Sequence, residues 1–152
     1  MTRLLTCLVL LAAVACDSGP ESPVPPDPEE LPKPRVVAAG DYVTTTTGLK
    51  YYDFKVGAGD SVRNGNIVQV HYHGWLTDST LFDTSYLRQE PYLFRVGAGS
   101  VIPGWDEGVL NMQVGGERQL VIPPELAYGD RGRGPVPPNA TLIFELLLVE
   151  LD

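Results

Sequence analysis

The chain has 152 residues, the length of one ordinary domain, and 43% of them are hydrophobic while 20% are charged. This balance excludes a chain that is disordered throughout. The net charge is −8, and the basic residues are scattered singly, which argues against a nucleic-acid partner because phosphate binding needs a clustered basic surface.

The first 16 residues have the pattern of an export signal. Arg3 precedes an uncharged run, Leu4–Cys16, whose 13 residues are fewer than the ~20 that a membrane-spanning helix needs. The run ends in Ala13-Val14-Ala15-Cys16. This ending fits either signal-peptidase cleavage after Ala15 or a bacterial lipobox in which Cys16 becomes the lipidated first residue. An uncleaved anchor is a third interpretation.

Residues 16–35 are predicted to form a disordered tether. Asp17–Pro34 is polar and rich in proline, so it cannot bury enough apolar surface to fold, and its prolines favour an extended stretch of roughly 55 Å. A stiff spacer behind a cysteine favours the lipoprotein interpretation. We therefore expect Cys16 to be the lipidation site of an exported protein, anchored to a bacterial envelope membrane and facing the periplasm or the exterior. A soluble secreted or periplasmic protein is the alternative. Cys7 would be removed with the signal peptide, residues 1–15, which leaves no possible intrachain disulfide.

Residues 36–152 are predicted to form one domain built mainly from strands. Gly48–Val56 is rich in aromatic residues between glycines, and Ile67–Leu76 alternates apolar with polar residues. Gln119–Ile122 is a short apolar run that ends at two prolines. Thr141–Leu151 is apolar on much of both faces, which predicts a central strand.

One short helix is predicted to begin at Pro103-Gly104 and to end at Gly115-Gly116. Trp105, Val109 and Met112 would form one apolar stripe on it. We expect Val109 and Met112 to pack on the sheet. Trp105 lies at the very start of the helix, where its ring can reach into an opening.

The chemistry-bearing residues exclude several enzyme classes. His71 and His73 share one face of a strand and could begin a metal site, but no further ligands are evident, so an exposed strand face is favoured. The chain has neither a Gly-x-Ser-x-Gly elbow nor a phosphate-binding glycine loop. Aromatic residues from separate segments could instead line a concave apolar pocket; these are Tyr72, Phe82, Tyr92, Trp105, Tyr128 and Phe144.

Five segments carry a resemblance to a known family. They are GLKYYDFKVGAG (Gly48–Gly59), VQVHYHGWL (Val68–Leu76), LFDTSY (Leu81–Tyr86), the run Phe94–Gly129, and VPPNATLIFELLLVEL (Val136–Leu151). From Thr47 to Leu151 the chain resembles an FKBP-type peptidyl-prolyl cis-trans isomerase, in the form of a bacterial exported lipoprotein. The resemblance implies an α+β fold in which a bent antiparallel sheet, a half-barrel, wraps around one short α-helix.

The resemblance also implies an activity and a set of site residues. The activity is the acceleration of X-Pro isomerisation (EC 5.2.1.8) during the folding of exported proteins, in an apolar aromatic pocket that favours the twisted amide. No metal and no cofactor is implied. The residues implied as catalytic are Tyr72, Asp83, Trp105, Tyr128 and Phe144. The residues implied to bind substrate are Phe82, Arg88, Tyr92, Val101 and Ile102.

The implied partners are proline-containing unfolded or partly folded polypeptides, together with rapamycin-type macrolides. We expect a monomer that touches a membrane only through its lipid anchor. A non-catalytic chaperone or partner-binding module with the same fold is the alternative function. Two departures from the family pattern concern the site: Tyr92 stands where phenylalanine is usual, and Arg133, in the short loop Asp130–Pro135, replaces an aromatic residue or a histidine.

Overall fold

The computed structural model describes residues 31–152. The predicted signal peptide, the predicted lipidation site Cys16 and most of the predicted tether therefore lie outside the described residues. Leu31–Asp152 forms one compact unit. Within this part of the chain, no helix is long and apolar enough to cross a membrane.

The unit consists of antiparallel strands and a single α-helix, α1 (Pro103–Gly108). The strands are β1 (Val43–Thr44), β2 (Lys50–Lys55), β3 (Ala58–Ser61), β4 (Ile67–Leu76), β5 (Leu81–Thr84), β6 (Tyr92–Arg95), β7 (Gln113–Val114), β8 (Glu117–Ile122) and β9 (Leu142–Leu151). Seven of them form one sheet in the order β1-β2-β8-β9-β4-β5, with β6 also paired to β4, and β3 pairs with β7 separately. An antiparallel sheet with one short helix confirms the predicted fold class.

The centre of the sheet is formed by β4 and β9, which have ten residues each. β4 begins and ends where the alternating pattern predicts. Its residues Val68, Val70 and Tyr72 point into the core and are at most 5% exposed. β9 lies between β8 and β4, which is the central position that its apolar residues on both faces predict.

Helix α1 packs against the inner face of the sheet, the face that carries the core. Gly104 lies so close to β8 that a Cβ atom there would be 2.4 Å from the side chain of Ile122. Val109 and Met112, just beyond the helix, are at most 3% exposed. Their predicted packing on the sheet is therefore confirmed, although they pack from a turn rather than from the helix.

The helix is shorter than predicted, because it ends at Gly108 and not near Gly115. Asn111 adopts a left-handed conformation with φ of 64°, which no α-helix continues through. The buried Arg118 donates hydrogen bonds of 2.9 Å to the carbonyls of Gly108 and Leu110. The guanidinium of Arg118, from β8, thus satisfies carbonyl groups that the end of a helix leaves unpaired.

The outer face of the sheet, opposite to the core, is crossed by the first described residues. The Trp75 indole N–H donates a 2.6 Å hydrogen bond to the carbonyl of Pro32. Arg35 forms ion pairs of 2.8 Å with Glu117 and Glu145. Leu31–Arg35, which composition assigns to the tether, therefore contacts the folded unit through specific polar bonds.

Candidate active site

A cavity of about 650 Å³ opens on the inner side of the sheet, beside the start of α1. Nine of the ten predicted catalytic and substrate-binding residues line it: Tyr72, Phe82, Asp83, Tyr92, Val101, Ile102, Trp105, Tyr128 and Phe144. The tenth, Arg88, binds two of them from outside the lining. The fold thus brings the predicted residues together from separate elements, while their individual roles stay predictions.

Trp105 forms the floor of the cavity and is 5% exposed. Its ring centroid lies 4.9 Å from that of Tyr72 and 5.2 Å from that of Phe144, and both contacts are edge-to-face. Such aromatic contacts stabilise a fixed ring orientation. The indole Nε1 is buried and has no hydrogen-bond partner among residues 31–152. The floor is therefore a flat, rigid and mostly apolar surface.

The back wall of the cavity depends on a glycine in the middle of β4. Phe82 and Phe144 meet edge-to-face with their ring centroids 5.5 Å apart. A Cβ atom at Gly74 would lie 2.6 Å from the Phe144 ring and 2.9 Å from the Phe82 ring. Only the absence of a side chain at this position lets both rings lie against the strand.

One edge of the cavity is polar and consists of Tyr72, Asp83 and Arg88. The Tyr72 hydroxyl donates a 2.5 Å hydrogen bond to Asp83. Arg88 donates to the same carboxylate at 3.0 Å and to the Tyr72 hydroxyl oxygen at 2.6 Å. The Thr84 backbone N–H also donates to Asp83. These bonds hold the carboxylate and the phenol in one orientation.

The same contacts determine the ionisation of this edge. Burial is the main reason that the pKa of Tyr72 is raised, and the adjacent carboxylate adds to it. Burial alone would raise the pKa of Asp83, but the hydrogen bonds from Tyr72 and Arg88 outweigh it and hold that pKa below its usual value. At neutral pH the edge therefore carries a carboxylate, a guanidinium and a neutral phenol.

The loop between β6 and α1 forms a side wall and is held by Asp106. Its two carboxylate oxygens accept hydrogen bonds from the backbone N–H groups of Gly97, at 2.8 Å, and Gly99, at 3.1 Å. Val101 and Ile102 follow this anchored stretch directly and line the cavity. Asp106 therefore fixes the position of a cavity wall from the first turn of the helix.

Tyr128 and Arg133 line the cavity at its rim. The pKa of Tyr128 is raised because its hydroxyl is partly buried, although the nearby Arg133 charge opposes that rise. The Arg133 guanidinium carbon lies 5.7 Å from the centre of the Tyr128 ring. The loop that carries Arg133 is closed by a 2.8 Å hydrogen bond from the Asn139 N–H to the Gly129 carbonyl.

The two histidines lie away from the cavity, on the outer face of β4. Their rings stack on Tyr86, with centroids 4.7 Å away for His71 and 4.5 Å away for His73. Each Nδ1 atom is 2.9 Å from a hydroxyl, that of Ser85 or that of Thr84. Across residues 31–152, no three His, Cys, Asp or Glu side chains are grouped to hold a metal ion.

Several cavity residues are not singled out by their sequence pattern. Gly99, Ser100, Pro103, Ala127, Gly134, Pro135 and Val136 also line the cavity. Phe94 lies behind the floor, with its ring centroid 5.7 Å from that of Trp105. The alternation of β6 could have revealed it, because Phe94 is two residues from Tyr92 and shares its face.

Comparison with known proteins places these features in a family. Residues 58–149 match the family described as FKBP-type peptidyl-prolyl cis-trans isomerase. The chain is 56% identical over 89 residues to FK506-binding protein 2 of Aspergillus oryzae, a match that covers 58% of this chain and 66% of the fungal protein. It is 46% identical over 108 residues to the isomerase FkpA of Escherichia coli, covering 71% of this chain and 39% of FkpA. The chain thus spans just under two thirds of the fungal relative's length.

Solved structures of FKBP proteins also resemble this chain in fold and sequence. The crystal structure of AtFKBP13 superposes with a TM-score of 0.69 at 39% identity and covers 73% of this chain and 98% of that one. The crystal structure of FkpA from Escherichia coli also gives 0.69, at 45% identity, over 74% of this chain and 52% of that one. Sequence and fold therefore agree on one relationship.

Proposed function

Because the chain belongs to the FKBP-type peptidyl-prolyl cis-trans isomerase family, we propose that it accelerates the cis-trans isomerisation of X-Pro bonds in polypeptides. The observation that carries this proposal is the cavity whose floor is Trp105, whose walls are aromatic and which has the polar group Tyr72–Asp83–Arg88 at one edge. Such a cavity accepts an apolar ring and orients the polar backbone beside it.

The reaction needs no bond to be broken. An X-Pro bond isomerises in tens to hundreds of seconds unaided, because resonance makes the planar amide more stable than the twisted one. A catalyst must bind the twisted amide more tightly than the planar form. The planar amide has the greater charge separation, so an apolar cavity favours the twisted amide relative to water. An acceleration of ~10⁶ corresponds to about 8 kcal/mol of such preference.

Different residues bind the proline ring, the preceding carbonyl and the substrate backbone. The proline ring lies on Trp105 and against Phe144, which hold it while the preceding carbonyl rotates. The Tyr128 hydroxyl donates a hydrogen bond to that carbonyl, because its raised pKa keeps the proton on the phenol across the physiological range. Asp83 and Arg88 hold the Tyr72 ring in place at the polar edge of the cavity. The Ile102 N–H is available as a donor to the substrate backbone.

The proposal is tested by the rate at which a proline peptide isomerises. We expect the protein to accelerate cis-to-trans exchange of an Ala-Pro peptide, measured by a protease-coupled assay and independently by NMR exchange. Unchanged exchange rates in both assays would contradict the proposal.

Two other functions on the same fold predict different results. A chaperone would suppress the aggregation of an unfolded protein that lacks cis prolines, without accelerating the peptide. A partner-binding module would do neither. The family resemblance implies that one form of chaperone carries a large insertion after Tyr128, and the loop Asp130–Pro138 is too short to hold it, which favours the isomerase over that form.

We also propose that the protein is exported and anchored by lipid on Cys16, where it assists the folding of exported proteins. This rests on the uncharged run before Cys16 and the proline-rich stretch after it. Expressed in a Gram-negative bacterium, the wild-type chain should be found in the membrane fraction, and Cys16→Ser should release it. Cys7→Ser is the matched control and should leave the protein in the membrane. Unchanged association of the Cys16→Ser variant would overturn the anchor.

Macrolide binding is proposed on the same cavity. The fungal relatives are named for FK506, and the aromatic floor and polar edges suit a ligand with an apolar ring beside carbonyls. Tyr92 adds a hydroxyl where phenylalanine is usual, so affinity is the property this departure affects. Isothermal titration with rapamycin tests the binding, and a lack of heat at micromolar protein would contradict it.

A further inference from the structure

The charges around the cavity do not cancel. Asp83 and Arg88 neutralise each other through a 3.0 Å ion pair. Arg133 also lines the cavity, and it forms no salt bridge with any residue from 31 to 152. Asp130 and Arg131, in the same loop, are not part of the lining. The mouth therefore carries one net positive charge in a chain whose net charge is −8.

The backbone holds Arg133 firmly in this place. Its N–H donates to the Val136 carbonyl, and the Val136 N–H donates back to the Arg133 carbonyl, both at 2.9 Å. Gly132, just before it, packs so closely that a Cβ atom would lie 2.4 Å from the Val136 carbonyl oxygen. The guanidinium therefore projects from a tight turn at a defined point of the rim, against Tyr128.

We propose that Arg133 makes the site select polypeptides in which the residue before the proline carries a carboxylate. This inference rests on the proposed isomerase function, and specifically on Tyr128 binding the carbonyl of that residue. The guanidinium carbon is 5.7 Å from the Tyr128 ring centre, so the side chain of the same substrate residue lies within its reach. A guanidinium stays charged at every physiological pH and matches a carboxylate with two parallel hydrogen bonds.

The expected preference for a carboxylate depends on how far Arg133 is exposed to water. Arg133 is exposed, so its attraction for a carboxylate is close to that of charges in water, which gives about a fivefold preference at contact distance. Salt screens exposed charges over about 8 Å at physiological ionic strength. The preference should therefore shrink as salt is added.

The test compares peptides that differ only before the proline. Glu-Pro and Gln-Pro peptides are nearly identical in shape, so the ratio of their kcat/KM values isolates the charge. We expect a ratio of about five for the wild type at low salt and close to one for Arg133→Gln. The matched control is Arg131→Gln, which removes an exposed arginine from the same loop and should keep the wild-type ratio. A Lys-Pro peptide should be the poorest substrate of the wild type.

The outcomes separate this inference from the function on which it rests. If no peptide is accelerated, the isomerase function itself fails. If Glu-Pro and Gln-Pro are accelerated equally by the wild type, or if Arg131→Gln abolishes the preference as completely as Arg133→Gln, the assignment to Arg133 is wrong. A preference that appears only when the acidic residue follows the proline would likewise overturn the placement of the peptide.

Discussion

The floor of the cavity offers the sharpest test of how the site works. Replacing Trp105 by leucine keeps an apolar side chain but removes the flat ring on which the proline lies. If roughly 100 Å² of apolar contact with the proline ring is lost, the transition state loses about 2.5 kcal/mol, or about 70-fold in kcat/KM. Tyr128→Phe removes one neutral hydrogen bond of about 0.5–1.5 kcal/mol, which lowers kcat/KM roughly two- to twelvefold.

The assay is NMR exchange of a Leu-Pro peptide with each variant. Trp105 also packs against Tyr72 and Phe144, so urea unfolding must first show that Trp105→Leu is folded at the assay temperature. Phe144→Leu gives a second apolar test from the back wall. The reasoning is refuted if Tyr128→Phe abolishes exchange while Trp105→Leu, folded, retains most of it, because hydrogen bonding and not apolar contact would then dominate.

Further predictions concern stability. The pKa of Asp83 is held below its usual value in the folded state, so its ion pair with Arg88 stabilises the fold above pH ~4, and this contribution is lost as the pH falls through the folded pKa. The pair is about half exposed, so the difference in unfolding free energy between the wild type and Asp83→Asn should be below ~1 kcal/mol. In urea titrations this difference should shrink as the pH falls below ~4, and a difference that does not change with pH would contradict the ionic explanation. Gly74→Ala should lower the unfolding free energy by about 1–3 kcal/mol and reduce isomerisation, because the new methyl displaces the aromatic back wall, whereas Gly40→Ala, with nothing within 4 Å, should change neither; equal effects of the two would refute the close-packing argument. Arg35→Ala should lower the unfolding free energy by about 1 kcal/mol, because it breaks the ion pairs with Glu117 and Glu145. This loss should shrink at high salt, and a salt-independent loss would contradict the ionic explanation.

The sequence predicts best those elements whose pattern is local. β4 and β9 have long, regular runs of apolar side chains, and these runs predict the bounds of both strands to within a residue. β3, with the sequence AGDS, has no such pattern and exists because it pairs with β7 across more than 50 residues. The end of α1 does not follow from the local pattern for a related reason, since the Arg118 that bonds its last carbonyls comes from β8, a strand distant in the sequence.

The candidate site shows the same division. Its residues could be named because they match family motifs at the right spacing, and the fold brings them into one cavity. The interaction of Arg133 with Tyr128 depends on the course of a glycine-rich loop, which residue identity does not reveal. The contacts of Pro32 and Arg35 with the sheet cannot be read from the sequence either, because a proline-rich composition indicates disorder and carries no information about hydrogen-bonding partners on the sheet.

The two tryptophans of the chain lie on opposite faces of the sheet, so the fluorescence of each one reports on a different region of the protein. Trp105 has its indole in the cavity floor, so its emission responds to a bound ligand. Trp75 has its indole bonded to Pro32 on the outer face, so its emission responds to release of the segment that crosses that face. In Trp75→Phe the tryptophan emission, excited where tyrosine does not absorb, should therefore report on the cavity alone, without an added label.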